Sequence, residues 1–214
     1  MKVQQMDYGP TILGLGGTTR PGSSTECALR YAATEVERLG GRMKLFCGSE
    51  WLLPAYSADK STRSEEASRL VNALRSCDAM LVASPGYHGS VSGLVKNALE
   101  YSEDLALDER PFFEGRAIGC IVGGLGWQAI GTTLVSLRSV VHSLKAWSPP
   151  TEVAMHTAGK VFGPAGEVLV PETKQDLDAL VHQLVEFARM RHSYERRRVD
   201  VSETPRQLCS TAVA

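Results

Sequence analysis

TILGLGGTTRPGSSTECALRYAATEVERL, residues 11–39, changes character twice along its length. Thr11 to Gly16 is an uncharged apolar run ending in glycine, the pattern of a strand buried on both faces. From Thr25 to Leu39 the period becomes helical. Ala28, Leu29, Ala32, Ala33, Val36 and Leu39 fall on one face, and Gly40-Gly41 ends the run. Between them lies Gly17 to Ser24, a loop of glycines, hydroxyls and one arginine. The stretch therefore reads as strand, loop and helix in that order.

The alternation continues along the chain. Met43 to Cys47, Ala79 to Ala83, Arg116 to Val122 and Glu152 to Met155 read as strands. Ser64 to Ser76, Ser92 to Ser102, Ala129 to Leu144 and Lys174 to His192 read as helices, and Gly48 to Lys60 as a loop. Short strands that are apolar throughout predict a parallel sheet covered on both faces. Five strands and five helices match an α/β, flavodoxin-like, doubly wound parallel sheet with helices on both faces. One domain is expected over residues 1–198. In that plan ligands sit beyond the carboxyl ends of the strands, at the switch point of the strand order. Residues 199–214 are polar and aperiodic, and are expected to be disordered or to form an arm on a neighbouring subunit. Arg189, Arg191 and Arg196 to Arg198 read as a solvated helix end or a partner-binding patch.

The 214 residues suffice for one full core. A formal net charge of -1 gives no global pull toward nucleic acid or a membrane surface, and argues weakly against an acidic electron shuttle. Met1 to Pro10 has no apolar core of a signal peptide, and no run is long enough to span a bilayer. Cys27, Cys47, Cys77, Cys120 and Cys209 are odd in number and include no C-x-x-C pair. Scattered thiols fit a reducing, cytoplasmic setting. The five histidines show no metal-binding spacing, so no metal is expected.

Three loops that follow strands hold the informative residues. In the first, Gly16 to Thr25, glycines let backbone approach an anion, hydroxyls and helix-start N–H groups donate to it, and Arg20 can pair with phosphate oxygens. It lacks a P-loop lysine and G-x-G-x-x-G spacing, which points to a terminal phosphate monoester. A plain polar turn with a helix cap is the alternative. In the second, Pro85 stiffens the strand exit, Gly86 leaves room for a flat ring, Tyr87 offers an aromatic face beside one, and Ser92 is placed to cap the next helix. For Tyr87 and His88 a surface turn is the alternative. Lys96 reads as a helix residue holding the loop. In the third, Gly123-Gly124-Leu125-Gly126 turns backbone amides toward a ligand, and Trp127 either stacks on a ring or is buried at a subunit contact.

With these residues in view, the sequence resembles the NADPH-dependent FMN reductase family of the flavodoxin-like superfamily. The family's G-S-x-R-x-x-S-x-T phosphate loop stands here as Gly17 to Thr25. Its S-P-x-Y-x-x-S-x-x-G-x-x-K-N segment stands as Ser84 to Asn97. The likeness spans roughly residues 11 to 160. It implies that Thr18, Arg20, Ser23, Ser24 and Thr25 hold the FMN phosphate. It also implies that Pro85, Gly86, Tyr87 and His88, with Ser92 nearby, line the ring, and that Gly123, Gly124 and Gly126 close its other side. Gly86 stands where a larger residue is common, and is expected to open the pocket. The resemblance further implies a homodimer or homotetramer. It implies too that hydride passes from NADPH or NADH to FMN, and on to free flavin or a small acceptor such as a quinone, azo dye or chromate. No catalytic side chain is required, because the cofactor carries the chemistry. A flavin-dependent monooxygenase is a possible partner. A nicotinamide-independent electron shuttle or flavin sensor is the competing reading.

Overall fold

A computed structural model describes residues 8–48, 51–59, 61 and 63–203. The elements are β1 Thr11–Gly16, α1 Ser24–Arg38, β2 Arg42–Phe46, α2 Glu65–Ser76, β3 Ala79–Pro85, α3 Gly93–Glu100, β4 Ala117–Gly124, α4 Trp127–Ser143, β5 Val153–His156 and α5 Pro171–Glu203. A 3-10 turn, Tyr101–Leu105, follows α3. The five strands are parallel in the order β2-β1-β3-β4-β5. This is the flavodoxin-like order, with its switch point between β1 and β3.

Side chains alternate across the sheet and build two cores. Leu13, Leu15, Met80, Val82, Ile118, Cys120 and Val122 face α2, α3 and α4, where they meet Leu70, Leu74, Val95, Ile130 and Leu137. Ile12, Leu81, Ala83, Ile121, Val153 and Met155 face α1 and α5, where they meet Leu29, Val36, Leu180 and Leu184. Burial on both faces is why β1, β3 and β4 carry continuous apolar runs. β2 differs: it is an edge strand with Arg42 and Lys44 exposed, a charged edge that discourages pairing with another chain.

Boundaries move where local signals were incomplete. β3 and β4 each run two residues past the apolar run, because Ser84 and Pro85 stay in register with Val122 and Gly123. The helix expected to reach Ser102 tightens into 3-10 geometry at Tyr101. α4 starts at Trp127, with Gly126 at its cap and no capping side chain to announce it. α5 starts at Pro171, which suits a first helical position. It runs to Glu203, five residues into the segment read as a polar tail, so the arginines from Arg189 to Arg198 lie within a helix. Arg189 donates to the carbonyls of Tyr8 (3.3 Å) and Leu39 (2.5 Å). The rest of the tail, 204–214 with Cys209, and residues 1–7 lie outside the described residues. No described helix is long and apolar enough to cross a membrane.

Candidate functional site

Parallel strands bring all their carboxyl ends to one rim. There the three informative loops meet around a cavity of about 490 Å³. Thr18, Arg20, Ser23, Ser24 and Thr25 line it from the β1 exit, Pro85, Gly86, Tyr87 and His88 from the β3 exit, and Gly123, Gly124, Leu125 and Gly126 from the β4 exit. Ala129 of α4 and Thr157 beyond β5 complete the wall.

The first loop is organised by the start of α1. Ser23 is the N-cap, and its Oγ accepts from Glu26 N at 3.3 Å while lying 3.4 Å from Thr25 Oγ1. Both hydroxyl residues are buried. The first-turn amides of Ser24 and Thr25 have no acceptor among the described residues, as helix geometry leaves them. Glu26 would repel an anion here, but its carboxylate turns away. It accepts from Gly22 N at 3.0 Å and from Arg30 Nε and Nη2 at 2.9 and 2.7 Å. Arg20 is exposed and makes no ion pair among the described residues. Burial, with Glu26 adding to it, pushes the Cys27 and Cys47 thiols up, so both stay protonated at neutral pH.

The second loop is locked by backbone and hydroxyls. Gly86 N donates to Gly123 O at 2.8 Å, joining it to the third loop. Ser84 Oγ accepts from Ser92 N at 2.9 Å, and Ser92 Oγ caps α3 by accepting from Val95 N at 3.2 Å. Tyr87 and Ser90 pair across a tight turn whose central residues, His88 (φ 53°) and Gly89 (φ 79°), both have positive φ, as a type I′ turn requires. Tyr87 is left 57% exposed over the cavity. Gly17 lets the first two loops touch: a Cβ there would lie 2.6 Å from Pro85 Cδ and 2.8 Å from Ser92 Oγ.

Several expectations change on these facts. Ser92 does not line the cavity; it is buried beneath it as a cap. A Cβ at Gly86 would meet Ala129 O and Thr133 Oγ1, each at 3.2 Å, so the missing side chain admits α4 and does not enlarge the pocket. Lys96 pairs with Glu100 at 2.5 Å and holds no loop. That work falls to its neighbour Asn97, which accepts from Tyr56 N and donates to Pro54 O, both at 2.8 Å. Trp127 is 63% exposed and stacks on His156, with centroids 5.2 Å apart. Thr157 was missed because the strand before it is short. Its N donates to Gly124 O at 2.8 Å and brings a fourth strand exit to the rim.

The residues fit FMN. One end of the cavity offers hydroxyls, free helix-start amides and an unpaired arginine, which suit a phosphate dianion. The other offers Pro85, the Tyr87 ring, Leu125 and glycine backbone, which suit a flat ring. The sequence profile of NADPH-dependent FMN reductases matches residues 10–160. The chain belongs to that family. It is an NAD(P)H-dependent flavin reductase, an oxidoreductase that uses FMN and a reduced nicotinamide cofactor.

Two curated relatives are FMN-dependent NADPH-azoreductases. That of Staphylococcus saprophyticus is 30% identical over 147 residues, covering 65% of this chain and 73% of its own length. That of Staphylococcus aureus is 31% identical over 112 residues, covering 51% of this chain and 56% of its own length, so the chain spans little more than half of it. Among solved structures, the flavoenzyme NAD(P)H:(acceptor) oxidoreductase FerB of Paracoccus denitrificans matches with a TM-score of 0.67 at 21% identity. It covers 85% of this chain and 98% of its own. RosB, solved with bound 8-demethyl-8-formylriboflavin-5′-phosphate, matches with a TM-score of 0.68 at 17% identity over 96% of this chain and 94% of its own. At these identities the likeness carries the fold.

Proposed function

We propose that FMN occupies the cavity with its phosphate on the β1 loop. Thr18, Ser23, Ser24 and Thr25 donate to that phosphate, and Arg20 neutralises it. Pro85 to His88 hold one edge of the ring, and backbone at Gly123, Gly124 and Gly126 holds the other. The observation that carries this reading is the convergence of an anion cradle and an apolar slot on one cavity of about 490 Å³. When bound, FMN supplies the ring that takes hydride from the nicotinamide and passes electrons on. The chain's own work is to fix the phosphate, orient the ring and leave one ring face open.

A small acceptor takes that open face after the nicotinamide leaves. The names of the staphylococcal relatives support an azo compound or a similar aromatic oxidant. Steady-state rates with NADPH and an azo dye should give parallel double-reciprocal lines, the sign of two substrates using one site in turn. Intersecting lines would reject a shared site. FMN that leaves the protein on reduction would replace the azo acceptor with free flavin, as supply to a monooxygenase requires. We also propose a homo-oligomer, supported by Trp127 and Val135 exposed on α4. A cytoplasmic location is supported by the free thiols Cys27, Cys47, Cys77 and Cys120.

A further inference from the structure

A second cleft opens at the opposite rim, where the strands begin. Arg116 immediately precedes β4, Arg75 lies in the last turn of α2, Arg110 follows the 3-10 turn, and Arg198 lies on α5. They line a cleft of about 730 Å³, larger than the cavity at the carboxyl rim. Asp108, Glu109 and Glu195 share its wall.

The arginines are incompletely matched. Arg116 is 2% exposed and pairs with no carboxylate among the described residues. Its Nη1 donates to Leu74 O at 2.6 Å and Arg75 O at 3.3 Å, and its Nη2 donates to Phe112 O. Its Nε is buried with no acceptor. Carbonyls at the end of α2 offset part of the cost of burying this cation, but a lone buried guanidinium remains unfavourable without an anion. Loss of water on burial pulls the Arg116 pKa down, as expected for a cation lacking its counter-charge. Arg110 reaches Glu195 only at 3.6 Å, beyond hydrogen-bond length, while Glu195 is engaged by Arg191 at 3.0 Å. Arg198 is exposed and makes no ion pair among the described residues. Only Arg75 is well matched, to Asp108 at 2.7 Å. A solvated patch of mixed charge accounts for that last pair, but not for the buried Nε, the loosely paired Arg110 or the unpaired Arg198.

We propose that this cleft is a second binding site, for a small phosphorylated molecule that also carries hydroxyls. Guanidinium groups recognise phosphate oxygens in planar, paired fashion; Arg110 and Arg198 offer theirs to the cleft, and Arg116 adds its charge from beneath. Carboxylates beside them accept from hydroxyls, which a bare phosphate would not need. The volume suits a sugar phosphate or nucleotide. Because it lies at the N-terminal rim, its occupant is an effector and takes no part in hydride transfer.

Calorimetric titration of the FMN-loaded protein with glucose 6-phosphate, which carries both a phosphate and hydroxyls, tests this, with sodium chloride matching the ionic strength. The first arm is the native chain, the second the Arg110→Ala/Arg198→Ala double variant, and the third Arg20→Ala, with free FMN raised until that variant is saturated. Retained FMN reports that the double variant is folded. The site predicts saturable binding that weakens by about tenfold or more in the double variant and is unchanged in Arg20→Ala. Absence of binding to the native chain would overturn it. So would equal affinity in the double variant, or loss in Arg20→Ala alone, which would move the sugar phosphate to the flavin rim.

Discussion

Replacing Gly17 with alanine should separate the two loops that form the proposed FMN cradle. The added Cβ would lie 2.6 Å from Pro85 Cδ, 2.8 Å from Ser92 Oγ and 3.0 Å from Ser84 Cα. Carbon contacts normally rest at about 3.5 Å or more, so the β3 loop must withdraw by about 1 Å. None of these neighbours is the free end of a flexible chain. Ser92 is tied to Ser84 Oγ and to Val95 N, and Pro85 is in register with Gly123. Overpacking of this kind costs about 1–3 kcal/mol. With a urea m-value of about 2 kcal/mol/M, the unfolding midpoint should fall by roughly 0.5–1.5 M. FMN affinity, followed by quenching of flavin fluorescence, should fall by about tenfold, because phosphate donors and ring slot no longer share one spacing. Gly93→Ala is the control: its Cβ would meet nothing within 4 Å, and alanine favours the first turn of α3. Its stability should match or slightly exceed that of the native protein. A Gly17→Ala protein with native midpoint and native FMN affinity would refute the loop packing described here.

Arg20→Ala should leave the unfolding midpoint of the apoprotein unchanged and raise the FMN dissociation constant by about tenfold or more, the loss of one charge-assisted hydrogen bond. Ser92→Ala should do the reverse. Losing the α3 cap costs about 1 kcal/mol in urea unfolding, while FMN affinity stays within about twofold, since the side chain lies beneath the cavity. Burial pushes the Cys77 thiol up to about 11 and Cys120 up to about 12. Below pH of about 8 both thiols are largely protonated folded and unfolded, so neither penalises the native state. Above it the unfolded thiols ionise first, and stability falls as pH climbs toward the folded values, by at most about 1.4 kcal/mol per unit per thiol. Cys120→Ala should therefore show a shallower fall in urea midpoint between about pH 9 and pH 11 than the native chain; parallel slopes would reject that burial.

The doubly wound parallel sheet was legible because β1, β3 and β4 are buried on both faces, and that burial is written as uncharged runs between glycines and helical periods. The cavity was legible for the same reason: a parallel sheet gathers its strand exits on one rim, so loops far apart in sequence must meet. What escaped depended on contacts across the fold. Gly86 looks like a vacancy in the pocket until α4 is seen against it. Asn97 carries no local signal for holding the Pro54–Tyr56 segment, because its partners lie over forty residues away. Thr157 follows a strand of only four residues, too short to mark itself. α5 extends past His192 without an apolar period, so its last turns looked like a tail. Arg116 was read as the start of a strand, and nothing in the sequence shows that its guanidinium turns back under α2.

The most direct test of the central claim is anaerobic stopped-flow absorbance of the FMN-loaded protein mixed with NADPH or NADH. Rapid bleaching of the oxidised flavin band is predicted, faster with one nicotinamide than the other, with Arg20→Ala needing about tenfold more FMN to give the same amplitude. Bound flavin that stays oxidised with excess of either donor would contradict the account.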